Sequence, residues 1–241
     1  MSAESRDTDL QGVKRVAKQL IWAVDIELLK DMPLCNHPYT MSNIVMIGGP
    51  HGDVQMIDIT DKDNFKLWAN DLSRRIDSLK RVIDIYILVR DPYKLTFLKF
   101  VKEYLSEEDF TELFADAWVD EENPNMDANV SLKTAVSWFK ECKKELLMVK
   151  EDLEYYNSLP DEVTVYRGVA VGRVPNGLSW TDKLKTAKWF AHRYDKDEET
   201  GYVQKAVVPK SKILAYFNTR NEDELVVDTF AIKNEIEIME E

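Results

Sequence analysis

Leu159-Pro160-Asp161-Glu162-Val163-Thr164-Val165-Tyr166-Arg167-Gly168-Val169 is where the texture of the chain changes from helix to strand. Val163, Val165 and Arg167 alternate with Thr164 and Tyr166, the period of two that puts successive side chains on opposite faces of a strand. Further short apolar or alternating runs follow at Tyr202–Val208, Lys212–Phe217, Glu224–Val227 and Ile236–Ile238. One helical pattern interrupts them around Leu184–Tyr194.

Upstream of this stretch the chain reads as helix. Val13, Val16, Ala17, Leu20, Ile21, Val24 and Leu28 recur at i, i+3, i+4, i+7, as one buried helical face requires. Trp68, Leu72, Ile76, Leu79, Ile83, Tyr86 and Ile87 repeat the pattern until Pro92 stops it. Ser106 with Asp109 resembles a capping box ahead of Phe110, Leu113, Phe114 and Ala117. A further helix starts near Ser131 and would bury Leu132, Ala135, Val136, Phe139 and Leu146. Ile44–Ile47 and Val54–Ile59 flank a glycine-rich run and read as a hairpin near 44–59. The fold class expected is therefore α+β, with a mainly helical region over 1–158 and a mainly antiparallel sheet over 159–241.

The 241 residues include 44% hydrophobic side chains, too apolar for a disordered chain. Two cysteines, Cys35 and Cys142, make no disulfide framework, and a reducing cytoplasm is the simpler setting. The polar start lacks an apolar h-region, and no apolar run reaches the roughly 20 residues that cross a bilayer. Neither a signal peptide nor a membrane partner is expected. A net charge of −12 argues against wholesale wrapping of nucleic acid. Locally the balance reverses: from Arg167 to Arg220, eleven bases against five acids leave +6. Such a segment reads either as an ordinary solvated surface or as a site for an anionic ligand.

Several patterns carry little. Gly48-Gly49-Pro50-His51-Gly52 lacks the Gly-Lys-Ser/Thr ending of a phosphate loop, and Pro50 removes a backbone donor. Cys35, His37, His51 and Cys142 contain neither a Cys-x-x-Cys nor a His-x3-His pair, so no metal is expected. No Gly-x-Ser-x-Gly turn is present to strain a nucleophile.

Three segments are chemically complementary: Val165-Tyr166-Arg167-Gly168-Val169, Gly177-Leu178-Ser179-Trp180-Thr181, and Asn221-Glu222-Asp223-Glu224-Leu225. On a strand, side chains at i and i+2 share a face, so Glu222 and Glu224 project together and repel unless cations or hydrogen bonds offset them. Ser179 and Thr181 stand in the same relation and offer hydroxyls; Arg167 offers a fork suited to a diphosphate. This set suits breaking the nicotinamide–ribose bond of NAD. The pyridinium leaves as a neutral base without a general acid, and the barrier lies in forming a ribosyl oxocarbenium cation. One fixed carboxylate stabilises that cation, and a second takes a proton from the nucleophile.

Tyr166-Arg167-Gly168, Ser179-Trp180-Thr181 and Glu222-x-Glu224 resemble the Arg, Ser-Thr-Ser and Glu-x-Glu motifs of the R-S-E class of mono-ADP-ribosyltransferases. The closest likeness is to compact bacterial and phage versions, which also carry a stretch like Ala187-x-x-Phe190-Ala191-x-Arg193. The resemblance implies an ADP-ribosyltransferase-like core over 159–241, with NAD as substrate and no metal. It implies Glu224 as the catalytic glutamate and Glu222 as the group that activates the acceptor. Arg167, with Gly168 beside it, would hold the NAD phosphates. Ser179, with Thr181 in the same motif, would orient Glu224 and the nicotinamide ribose. Phe190 would neighbour a base and Arg193 a phosphate. Trp180 and Thr181 depart from the family's threonine and serine, and only 12 residues separate Arg167 from Ser179.

The activity expected is transfer of ADP-ribose from NAD to a macromolecule, in a cytoplasmic setting. Glu-x-Glu is the family pattern associated with protein arginine acceptors. The +6 segment and the rings of Trp180, Trp189, Tyr194 and Tyr202 would instead suit single-stranded nucleic acid, with a base amine as nucleophile. NAD glycohydrolysis, with water as acceptor, and a non-catalytic binding module are the alternatives. A toxic activity of this type would fit a phage–host conflict and a neutralising antitoxin partner.

Overall fold

The computed structural model describes residues 6–29, 32, 34–49, 52–196 and 199–239. The chain is α+β and divides into two compact units, one up to Leu113 and one from Phe114 onward. The sequence texture placed the change at 158/159. The division falls earlier because the helices between 114 and 158 pack on the C-terminal strands.

In the first unit, α1 (Leu10–Trp22) is capped by Asp9, whose carboxylate accepts from the N–H groups of Gln11 and Gly12. Val13, Ala17 and Ile21 are fully buried on one face. The apolar spacing runs on to Leu28, yet the helix stops at Trp22, and Leu28 forms an isolated antiparallel bridge with Cys35. Strands β1 (Leu34–His37) and β2 (Thr40–Ser42) pair antiparallel. So do β3 (Ile44–Gly48) and β4 (Val54–Asp58), with Met46 opposite Met56: this is the expected hairpin. Pro50 and His51 of its glycine-rich connection lie outside the described residues.

Helix α2 (Lys62–Ser78) buries Trp68, Ala69, Leu72 and Ile76. One helix reaching Pro92 was expected, but two form. Ser78 Oγ donates to the Arg75 carbonyl at 2.7 Å, drawing that acceptor away from continued helix, and Leu79 turns extended. The short α3 (Val82–Tyr86) resumes beyond it and leaves Ile87 exposed. Helix α4 (Lys94–Val101) buries Leu95, Phe97, Leu98 and Val101. Ser106 Oγ accepts from the Asp109 N–H at 3.0 Å, as the capping pattern requires. The return bond is relayed: the Ser106 N–H donates to the Thr8 hydroxyl, which donates to the Asp109 carboxylate.

Helix α5 (Glu107–Asp120) carries the chain into the second unit, where Phe114, Ala117 and Trp118 are buried. Then come α6 (Leu132–Glu141), capped by Ser131, α7 (Lys144–Leu147) and α8 (Lys150–Ser158). Ala135, Val136 and Phe139 are buried as expected. Trp138 joins them, and Leu147 takes the place expected of Leu146 because a new helix starts after Cys142 turns extended. Phe139 packs tilted on Phe114 at 4.6 Å and edge-on to Trp118 at 4.9 Å, arrangements that aromatic quadrupoles favour.

Six strands follow: β5 (Glu162–Val169), β6 (Ser179–Thr181), β7 (Tyr202–Pro209), β8 (Ile213–Phe217), β9 (Glu224–Val227) and β10 (Glu237–Ile238). They form one sheet in the order β10-β7-β5-β6-β9-β8, each neighbouring pair antiparallel. Helix α9 (Leu184–His192) lies against β5, β6 and β7, burying Ala187 and Ala191. All five residues of β8 are buried, which places that end of the sheet in the core.

Candidate functional site

The sheet opens between β5 and β6. These strands share one aligned pair, Tyr166 with Thr181, and the guanidinium of Arg167 occupies the space beyond it. Its Nη1 donates to the Ser179 carbonyl at 2.6 Å and its Nη2 to the Val174 carbonyl at 3.0 Å. A side chain on Gly177 would collide with this guanidinium, so glycine there lets the backbone close over it. Burial pushes the Arg167 pKa down to about 10, against the favourable charge of Glu224, and it stays cationic at neutral pH. Two of its five N–H donors are thus committed to backbone carbonyls, while its buried Nε has no hydrogen-bond partner and the residue lines an open cleft.

Glu224 opens β9 opposite Thr181, with Ser179 one step along the same face. Trp118 Nε1–H donates to Glu224 Oε1 at 3.1 Å, and the Ser179 hydroxyl donates to the same carboxylate. That hydroxyl is itself aimed. Asn125 Nδ2 donates to Ser179 Oγ at 2.9 Å, while Asn125 Oδ1 accepts from the Leu178 N–H at 2.6 Å. The backbone bond fixes which way the amide faces. Burial raises the Glu224 pKa; the two donated hydrogen bonds oppose that rise, the Glu222 charge adds to it, and Arg167 counters it.

Glu222 does not lie on the strand. It sits in a tight turn between Asn221 (φ 56°) and Asp223 (φ 48°), both left-handed, a region in which Asn and Asp are the commonest side chains after glycine. The turn is braced: Asp223 accepts from Tyr216 Oη at 2.9 Å, and its N–H donates to Asn218 Oδ1 at 3.1 Å. Arg220 pairs with Glu222 at 3.3 Å and donates to the Val119 carbonyl. The two glutamates are thus offset by this turn, not by the two-residue period of a strand.

All eight residues singled out from the sequence line one open cleft: Arg167, Gly168, Ser179, Thr181, Phe190, Arg193, Glu222 and Glu224. No protein-family model, no curated protein and no solved structure matches this chain. Gly168 serves close packing, since a Cβ there would overlap the Ala187 carbonyl and the Ala191 nitrogen of α9. The Thr181 hydroxyl accepts from the Lys183 N–H at 3.1 Å at the entry to α9, which leaves its O–H able to donate. Arg193 lies over the rings of Phe190 and Tyr194, and its buried Nε has no hydrogen-bond partner.

Arg173 and Arg220 of the basic segment also line the cleft, and Trp118, Asn125, Glu121 and Glu122 join them unread in the sequence. Trp118 carries the helical spacing of a core residue, and Asn125 stands in a polar connection with no motif around it. Of the rings considered for base stacking, Trp180 is withdrawn: it is buried, with its indole N–H on the Gly177 carbonyl at 3.1 Å.

Among the described residues no cluster of three metal-binding side chains occurs, and no helix is long and apolar enough to cross a membrane. His37 is fully buried with both ring nitrogens engaged. Nδ1 accepts from the Tyr39 N–H, so Nε2 carries the proton and donates to the Ile21 carbonyl. Burial lowers its pKa, consistent with the neutral ring. His51, grouped with it on paper, lies outside the described residues.

Proposed function

We propose that this chain is a mono-ADP-ribosyltransferase that cleaves NAD and passes ADP-ribose to a macromolecular acceptor. The observation that carries this reading is the Glu224 carboxylate, held by two donors at the wall of a cleft that also contains Glu222 and four arginines. In this reading the C-terminal sheet with α9 is an ADP-ribosyltransferase-like core.

The chemistry divides among the residues as follows. The bond from ribose C1′ to the pyridinium nitrogen breaks, and its electron pair leaves with neutral nicotinamide. Glu224, oriented by Ser179 and Trp118, faces the cation developing on the ribose and lowers its energy electrostatically. Glu222 accepts the proton that the acceptor loses as it bonds to C1′. Arg167, Arg173 and Arg193 all line the cleft and are the phosphate partners in this reading. The unpartnered Nε groups of Arg167 and Arg193 are donors suited to an anionic oxygen.

Incubation with NAD labelled in the adenosine half tests this, with nicotinamide release and label transfer followed together. Wild type should release nicotinamide, and Glu224→Gln should not. Release with no macromolecule present would assign hydrolysis. Equal turnover by wild type and Glu224→Gln would reject catalysis and leave a binding module.

A further inference from the structure

The outward side of α9 contains no acidic residue. Lys185, Lys188 and Trp189 follow one another at helical spacing and are all exposed, Trp189 at 60%. Tryptophan is costly to leave in water, and this one packs edge-on to Phe190, with ring centres 4.9 Å apart. A ladder of rings and cations connects it to the cleft. The Arg193 guanidinium lies 5.8 Å from the Trp189 ring and 4.7 Å from that of Tyr194, which is 41% exposed. Arg173 lies 5.6 Å from the other reach of the ladder, the Tyr194 ring. Arg173 and Arg193 both line the cleft. Asp195, the first of the acids that follow the helix, is turned to the Gly201 N–H and to His192 Nδ1.

We propose that this strip binds single-stranded nucleic acid and leads an unpaired nucleotide to the cleft. Its role in supplying the acceptor rests on the transferase reading; the binding itself does not. Lys185 and Lys188 would neutralise phosphates, and Trp189 and Tyr194 would stack on bases, a combination that tolerates any sequence but requires bases free of pairing. The chain's overall negative charge acts weakly here, since at physiological salt interactions between exposed charges are screened beyond about 8 Å. An acidic peptide would match the lysines but would have nothing to lay on the rings. In the transfer step a nucleophilic oxygen or nitrogen of the nucleotide bonds to ribose C1′, the electron pair of the broken bond leaves with nicotinamide, and the nucleotide's proton passes to Glu222.

The test is fluorescence anisotropy of a labelled oligouridine of about 12 nucleotides, titrated with full-length protein from about 50 mM salt upward. Binding that weakens steeply with salt is expected. Trp189→Ala should weaken it about tenfold or more, the loss of one stacked base. Lys185→Ala with Lys188→Ala should reduce the salt slope by about 1.4, roughly 0.7 for each phosphate no longer neutralised. Lys185 and Lys188 do not line the cleft, so NAD cleavage without nucleic acid should be unchanged in the double lysine variant, and the melting curves of both variants should match wild type. Absence of binding at low salt, equal binding by Trp189→Ala, equal affinity for a duplex, or displacement by polyglutamate of equal charge would overturn the proposal. Because the binding measurement needs no NAD, an inactive enzyme that binds RNA would reject the transferase reading alone.

Discussion

The indole N–H of Trp118 meets Glu224 Oε1 at 3.1 Å, joining residues 106 positions apart at the wall of the cleft. A hydrogen bond to a carboxylate is worth about 1.5–3 kcal/mol, and this one also counters the burial that raises the Glu224 pKa. Trp118→Phe keeps an aromatic ring in the cluster with Phe114 and Phe139 and removes the donor. The expected result is a loss of about tenfold in kcat for nicotinamide release, corresponding to about 1.4 kcal/mol, with KM little changed. The acid limb of the pH profile should also move upward. A profile superimposable on wild type would show that the indole only fills space.

Glu224 links activity to stability through its protonation. A carboxyl whose pKa is raised in the folded state binds more protons folded than unfolded, so stability falls as pH rises from the ordinary value of 4.5 through the raised one. Glu224→Gln resembles the protonated form at every pH. Its melting temperature should equal that of wild type below 4.5, exceed it increasingly as pH rises, and hold a constant margin once the wild-type carboxyl is fully ionised. Catalysis should show the reverse, since the ionised form faces the ribose cation: wild-type kcat should fall on acidification at a pH above the usual carboxylate range. Thermal melts and nicotinamide release across pH check both halves.

Asn125 acts through Ser179, and exchanging its donor for an acceptor separates aim from bulk. In Asn125→Asp the bond from the Leu178 N–H survives, but the Ser179 hydroxyl now meets a second carboxylate and is drawn away from Glu224. Asn125→Ala removes both bonds and leaves the hydroxyl free to rotate toward Glu224. Turnover should therefore be lower in Asn125→Asp than in Asn125→Ala, while thermal stability ranks the other way. A purely structural Asn125 would give the same rank order in both measurements.

The strands after Leu159 were legible because alternation is a local signal: β5, β7, β8 and β9 begin and end within a residue or two of the runs that announced them. Helix ends were not, because apolar spacing continued past Trp22 and Ser78 although the helices stop there, the second beside a serine hydroxyl bonded back to the Arg75 carbonyl. Within the site, Arg167, Ser179 and Glu224 could be read because three short motifs pointed to one chemistry. Trp118 and Asn125 could not, since their roles exist only once distant segments meet. The turn at Glu222 does leave a trace in the sequence: Asn221 and Asp223 are residue types that tolerate left-handed backbone, although the two-residue spacing of the glutamates by itself suggests a strand.

Arg167→Lys distinguishes an arginine that holds the cleft together from one that holds a ligand. Lysine keeps the positive charge beside Glu224 but, as a single point donor, cannot span the carbonyls of Ser179 and Val174 as the planar fork does. A buried carbonyl left without its donor costs about 1–3 kcal/mol, so chemical denaturation should show a loss of that order. The segment from Ala170 to Leu178, no longer tied through Val174, should gain faster amide hydrogen exchange. A guanidinium whose main role is to bind phosphate predicts a different outcome: unchanged stability and exchange, with a raised KM for NAD. Measuring denaturation, exchange and KM on the same variant decides between them, and the two bonds to backbone carbonyls favour the first.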